Sequence, residues 1–159
     1  MEILNCPSPP DPYRLVMTRT PESNNIQFLP NTLVRHFPNR DVTRLCHKRV
    51  IEHHAVIASI NEQLGHENWH LKHEVGGRPK LFVQDKESNL KISISHMQCP
   101  EKASYVATII ADVDYNIGLD IVYTNDSRIE RIANRTMNSD EVESGYLAEV
   151  WALKEAVYK

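Results

Sequence analysis

The chain is 159 residues long, 41% hydrophobic and 25% charged, with a formal net charge of −3. That size and balance describe a globular unit able to bury a core without staples. They exclude a globally basic binder of nucleic acid or of anionic membranes, so an anionic ligand has to be met by a local basic patch.

Three cysteines, Cys6, Cys46 and Cys99, stand at unrelated spacings and suggest neither a disulfide framework nor a paired-cysteine metal site. No apolar run approaches the roughly 18 residues of a membrane span. The proline-rich start (Pro7, Pro9, Pro10, Pro12) lacks the apolar segment of a secretory signal. The expected location is the cytoplasm.

Residues 1 to about 40 read as irregular, with short strands at Met1–Leu4 and Tyr13–Met17 and a turn at Asn24-Asn25. From Asp41 to Leu64 the period becomes helical. Cys46, Val50, His53, Ile57, Ile60 and Leu64 step by four, three, four, three and four, with Asn39 or Asp41 as the cap and Gly65 as the stop. Arg44, Lys48 and Arg49 cluster on other faces near the first turns, either as a solvated face or as a basic patch.

Short strand-like runs follow. His70–Val75 alternates, Gly76-Gly77-Arg78-Pro79 turns, and Lys80–Val83 and Leu90–His96 continue the pattern. A hairpin is expected next, Ala103–Ala111 against Tyr115–Tyr123, turning through Asp112-Val113-Asp114. The period then returns to helical. Ser127 or Asp126 caps Arg128–Arg135, Asn138 and Glu141 form a capping box, and Gly145 precedes a last helix carrying Leu147, Val150, Trp151, Val157 and Tyr158 towards a core. Helices at both ends around central strands make the class α+β.

Single features are weak signals. His66, His70 and His73 are spaced for one helical face, but they fall in a strand pattern without a fourth zinc ligand. Trp151, Glu155 and Lys159 share a helical face, an arrangement that taken alone reads as a buried Trp beside a surface Glu–Lys pair. Asp120 stands in the apolar run Ile117–Val122. It either faces solvent or converges with Glu155 as a hard oxygen ligand for Mg²⁺, which takes one or two carboxylates plus substrate phosphates.

The order of these pieces is more specific. Gly77-Arg78-Pro79, Ile92-Ser93-Ile94-Ser95-His96, Gly118-Leu119-Asp120-Ile121 and Trp151-Ala152-Leu153-Lys154-Glu155-Ala156-Val157-Tyr158-Lys159 resemble the 4′-phosphopantetheinyl transferase superfamily, in its larger pseudo-dimeric type. That type reads G-K-P, N-[LI]-S-H-S, G-[VI]-D-[IL]-E and W-[TS]-x-K-E-A-x-x-K. Arg131–Met137 through Glu141 also resembles its R-F-[FM]-[ST]-x-x-E stretch. The resemblance covers about residues 41 to 159.

The resemblance implies an antiparallel sheet packed against a long helix, with residues 1 to about 115 as a first α/β repeat and 116 to 159 as the start of a second, incomplete one. It implies transfer of the phosphopantetheine arm of coenzyme A to a serine of an apo acyl or peptidyl carrier protein, with Mg²⁺. Asp120 and Glu155 would hold the metal, and Glu155 would act as base towards the serine. Lys159 would stabilise the pyrophosphate or protonate the leaving 3′,5′-ADP. Ser95 and His96, helped by Lys48 or Arg49, would contact the 3′-phosphate, and Arg78 and Pro79 would line the adenine pocket. Family members continue beyond the position of Lys159, which implies either a truncated or degenerate member or a homo-oligomer interface that supplies the cover. Val122 stands where the family has an acid, Ile57 where many relatives have Arg, and Thr136 where they have an aromatic. The alternative is an impaired relative that binds without turnover.

Overall fold

The computed structural model describes residues 1–4, 11–20, 30–73, 77–99 and 103–159. The expected turn at Asn24-Asn25, most of the N-terminal proline cluster and the segment Glu74–Gly76 lie outside the described residues.

Six strands form one antiparallel sheet in the order β1-β2-β6-β5-β4-β3, where β1 is Glu2–Leu4, β2 Arg14–Arg19, β3 Trp69–His73, β4 Pro79–Val83, β5 Lys86–Gln98 and β6 Ser104–Asp112. β3 to β6 are consecutive neighbours, and β2 is brought in to pair with β6, Val16 opposite Thr108 and Thr18 opposite Val106. With helices on both sides of the strand run in sequence, the class is α+β, as the alternation of periods implied.

α2, His47–Leu64, lies across one face of the sheet, against β2 and β6. Its apolar spacing buries Ala55, Val56, Ile57 and Ile60 against Leu71, Leu81, Ile92, Val106 and Ile110, with Leu33, Phe37 and Trp69 closing the cluster. The helix ends where expected, at Gly65 in the left-handed conformation (φ 71°). It starts later than the sequence pattern implied. Asp41 caps a separate 3-10 turn, Val42–Arg44, and Cys46 becomes the N-cap without a side-chain cap bond. The interface also holds a polar thread, with Ser59 Oγ and Thr108 Oγ1 2.6 Å apart.

Residues 1–40 contain more than strands. α1, Pro30–His36, packs on β3 and α2, and His36 Nδ1 reaches the Trp69 carbonyl at 2.8 Å. Its Leu33 and His36 are buried, so a seven-residue helix is stabilised by its contacts rather than its length.

The expected hairpin of Ala103–Ala111 with Tyr115–Tyr123 is absent. β6 pairs with β2 and β5, and residues 115–123 form no strand. The apolar run containing Asp120 is instead laid over β5 on the face opposite α2. Ser93 Oγ accepts from Leu119 N at 3.1 Å, and Ser95 Oγ accepts from Ile121 N at 3.2 Å. Two side chains two residues apart share one face of a strand, so they meet alternate amides of the passing segment. A side-chain ladder replaces the backbone ladder.

Beyond this segment come α3 (Ser127–Thr136, capped by Asp126), α4 (Ser139–Glu143, with the capping box Asn138–Glu141) and α5 (Leu147–Tyr158), the first and second each packed on the third. α5 follows Gly145, whose φ of 74° makes the bend. Its apolar residues divide. Leu147, Val150 and Trp151 are half-buried, but Val157 and Tyr158 are exposed and do not enter a core. Among the described residues no helix is long and apolar enough to cross a membrane.

Candidate functional site

The site is assembled where α5 ends over β5. Ser95 Oγ donates to Asp120 Oδ1 at 2.6 Å, and the same carboxylate oxygen receives the Lys159 ammonium. Lys159 Nζ also lies 3.4 Å from both Ser95 Oγ and the Leu119 carbonyl. The Asp120 side chain is 9% exposed, so its charge is largely withdrawn from water and is met by a cation and a hydroxyl. Residues far apart in sequence meet because the ladder on Ser93 and Ser95 places 119–121 and because Ala156 of α5 rests on Gly118.

At Gly118 a Cβ would overlap the carbonyl oxygen of Ala156. Glycine is therefore a packing requirement here, since it lets the helix approach the segment backbone to backbone. Glu155 is half-buried one turn before Lys159 and on the same helical face.

Ser95 and His96 lie inside β5 rather than at its end, and strand alternation sends them to opposite faces. The Ser95 hydroxyl is 2% exposed residue-wise and already engaged: it donates to Asp120 and receives Ile121 N and Lys159. It is a brace for Asp120. His96 faces the α2 side, where Arg49 Nη1 stands 2.6 Å from its Nε2. Loss of hydration lowers the His96 pKa, Glu52 opposes that, and Arg49, Lys48 and Lys159 reinforce it. A neutral imidazole accepting from Arg49 fits this balance. Lys48 Nζ donates to Gln98 Oε1 at 2.8 Å, which clips the first turn of α2 to the end of β5.

Arg78 is exposed and Pro79 half-buried at the start of β4, where Lys80 pairs with Lys91, four positions along β5 from Ser95. Neither reaches the Asp120 cluster by a hydrogen bond or an ion pair. Ile57 is 6% exposed within the core. It contributes no charge to the basic rim.

Asp120 and Glu155 are hard carboxylates of the type Mg²⁺ takes together with water and phosphate. Among the described residues, Asp120 Oδ2 and the Glu155 carboxylate have no hydrogen-bond or ion-pair partner, so both remain open to a metal. Among those residues no group of three or more His, Cys, Asp or Glu is placed to hold a metal by protein ligands alone. His66, His70 and His73 form no such group.

Glu52 was not singled out by the sequence pattern, and Ser93 and Gly118 entered it only as members of motifs with no role of their own. Glu52 had a readable signal, as it stands four residues after Lys48 and three after Arg49 on one helix. A cleft of about 330 Å³ between the first turns of α3 and α5 is lined by residues such as Asp126, Glu130, Tyr146 and Glu149, and not by Ser95, Asp120, Glu155 or Lys159.

No protein-family model, curated protein or solved structure matches the chain.

Proposed function

We propose that this chain is a 4′-phosphopantetheinyl transferase-like protein, moving the phosphopantetheine arm of coenzyme A to a serine hydroxyl of an apo carrier protein with Mg²⁺. The observation that carries the reading is the meeting of Asp120 with Ser95 and Lys159, which joins three of the ordered sequence motifs at one carboxylate.

Asp120 and Glu155 would hold the metal, which supplies charge neutralisation at the pyrophosphate. Ser95 fixes the Asp120 carboxylate and so the direction of its second oxygen. Lys159, already at that carboxylate, is the cation available to the phosphate oxygens or to the leaving group as charge builds there. Glu155, half-buried and one turn away, would take the proton of the attacking serine hydroxyl, directly or through water. Lys48 and Arg49, with the neutral His96 held against Arg49, supply a local positive patch in a chain of net charge −3.

The test is incubation with coenzyme A, Mg²⁺ and several apo carrier proteins, read by mass spectrometry for the phosphopantetheine adduct. Adduct formation abolished in Asp120→Ala and Glu155→Ala supports the reading. Adduct formation that survives both changes removes it.

A second reading is a relative that binds nucleotide without turnover. It is favoured by the buried position of Ile57 and by the half-buried Val122 that follows Asp120-Ile121. Calorimetric titration with coenzyme A separates the two: heat of binding with no adduct supports this reading.

A further inference from the structure

Glu52 is a carboxylate that the proposed reaction leaves unused. Its residue is 4% exposed, on the buried side of α2. Burying a carboxylate is costly unless it is paired. Oε2 accepts from Arg49 Nη1 at 2.7 Å, while Oε1 has no hydrogen bond and lies 3.8 Å from Lys48 Nζ.

The two cations reach outwards, with side chains 48% and 47% exposed. The anion is thus beneath and the cations are above it. Arg49 Nη1 has a second contact, 2.6 Å to His96 Nε2. Both hydrogens of that nitrogen are therefore used, one by Glu52 and one by His96. Among the described residues Arg49 Nε and Nη2 have no partner. These two nitrogens form the side edge of the guanidinium, with parallel N–H groups that match two oxygens of a phosphate or carboxylate.

We infer that Glu52 is a positioning residue: with His96 it holds one end of the Arg49 guanidinium so that the free Nε–Nη2 edge is presented to an anionic group of the substrate. The identity of that group as the 3′-phosphate of coenzyme A rests on the transferase reading. Glu52 also opposes an incoming anion through its charge. Its position beneath the guanidinium makes orientation the larger effect, because a free arginine side chain would lose its rotamer freedom on binding.

The two effects separate by substitution. Glu52→Gln keeps an acceptor oxygen for Arg49 and discards the charge, whereas Glu52→Ala discards both. The measurement is calorimetric affinity for 3′,5′-ADP, with adenosine 5′-monophosphate as the probe lacking the 3′-phosphate. Glu52→Ala should weaken 3′,5′-ADP about tenfold, ~1.4 kcal/mol, and leave adenosine 5′-monophosphate unchanged. Glu52→Gln should stay within about threefold of the parent protein, which is under 1 kcal/mol.

Circular dichroism confirms that each variant is folded. If Glu52→Ala does not fold, Arg49→Lys takes its place, since it keeps the charge but not the two parallel N–H groups, and the same tenfold loss is expected. Unchanged affinity in the deciding variant overturns the proposal, as does a loss in Glu52→Gln equal to that in Glu52→Ala. A parent protein that does not bind 3′,5′-ADP overturns it together with the transferase reading. A parent that binds 3′,5′-ADP but forms no adduct removes the transferase reading alone.

Discussion

Gly118 and Ala156 touch backbone to backbone, and this contact seats the end of α5 on the segment laid over β5. Gly118→Ala would force a methyl group into the Ala156 carbonyl, and neither partner is a flexible side chain that can swing aside. The helix must shift. The expected cost is about 1–3 kcal/mol, as for overpacking elsewhere. Urea unfolding checks it; an unchanged midpoint would show that α5 is not seated on this segment.

Asp120→Ala removes the acceptor of the buried Ser95 hydroxyl and the partner of Lys159. An unpaired buried hydroxyl alone costs about 1–3 kcal/mol. Under the proposed function, adduct formation in this variant should fall at least about a hundredfold, in the range seen when one electrostatic catalytic contact is removed. Asp120→Asn separates the two losses. It keeps an oxygen for Ser95, so the melting temperature should recover while activity does not.

The side-chain ladder has its own signature. Ser93→Ala and Ser95→Ala each strip the acceptor from an amide, Leu119 and Ile121 respectively. Amide hydrogen exchange at those two residues should become faster in the matching variant, with little change in β6. Equal protection in parent and variant would mean that the segment is held by something else.

Acid should destabilise the fold through its histidines. Burial lowers the pKa of His36, His53, His54 and His70 below the ordinary 6.5, each opposed or reinforced by smaller neighbouring effects. The unfolded chain then binds more protons than the folded one below about pH 6.5. Stability is therefore complete above that pH and is lost as pH falls through the lowered folded values. The urea midpoint should decline steadily below pH 6.5, and His53→Gln should flatten the decline. A midpoint constant from pH 7.5 to 5 would contradict the assignment.

The readable parts of this protein are those where one segment decides its own structure. α2 was legible because its apolar steps of four and three define a face, and the Asn138–Glu141 box because capping is local. The run Ile117–Val122 was misread because its apolar character is that of a strand, while its amides are taken by serine side chains on β5, information that lies 26 residues away. The apolar residues Val157 and Tyr158 fit a helix but not a core, since their burial depends on what packs against them.

The candidate site was legible as residue types in order and illegible as contacts. Asp120 and Lys159 are 39 residues apart, and no spacing rule joins them. Ser95 and His96 read as a pair, yet the pleat separates them, one bracing a carboxylate and the other accepting a hydrogen bond from Arg49.

The strand order has a consequence for how the chain reaches its structure. β3, β4, β5 and β6 are neighbours in sequence and in space, so each pairing joins segments close in sequence. β2 joins the far side of β6 across long separations, 84 residues between Thr20 and Ser104, and this loop closure is entropically slower. In pulsed hydrogen exchange during refolding, amides of β4 and β5 should gain protection before those of β2. Because the backbone of β6 is exposed on that side until β2 arrives, the interval is when the sheet is open to pairing with another chain. Aggregation during refolding should therefore depend on protein concentration and decline once β2 has docked.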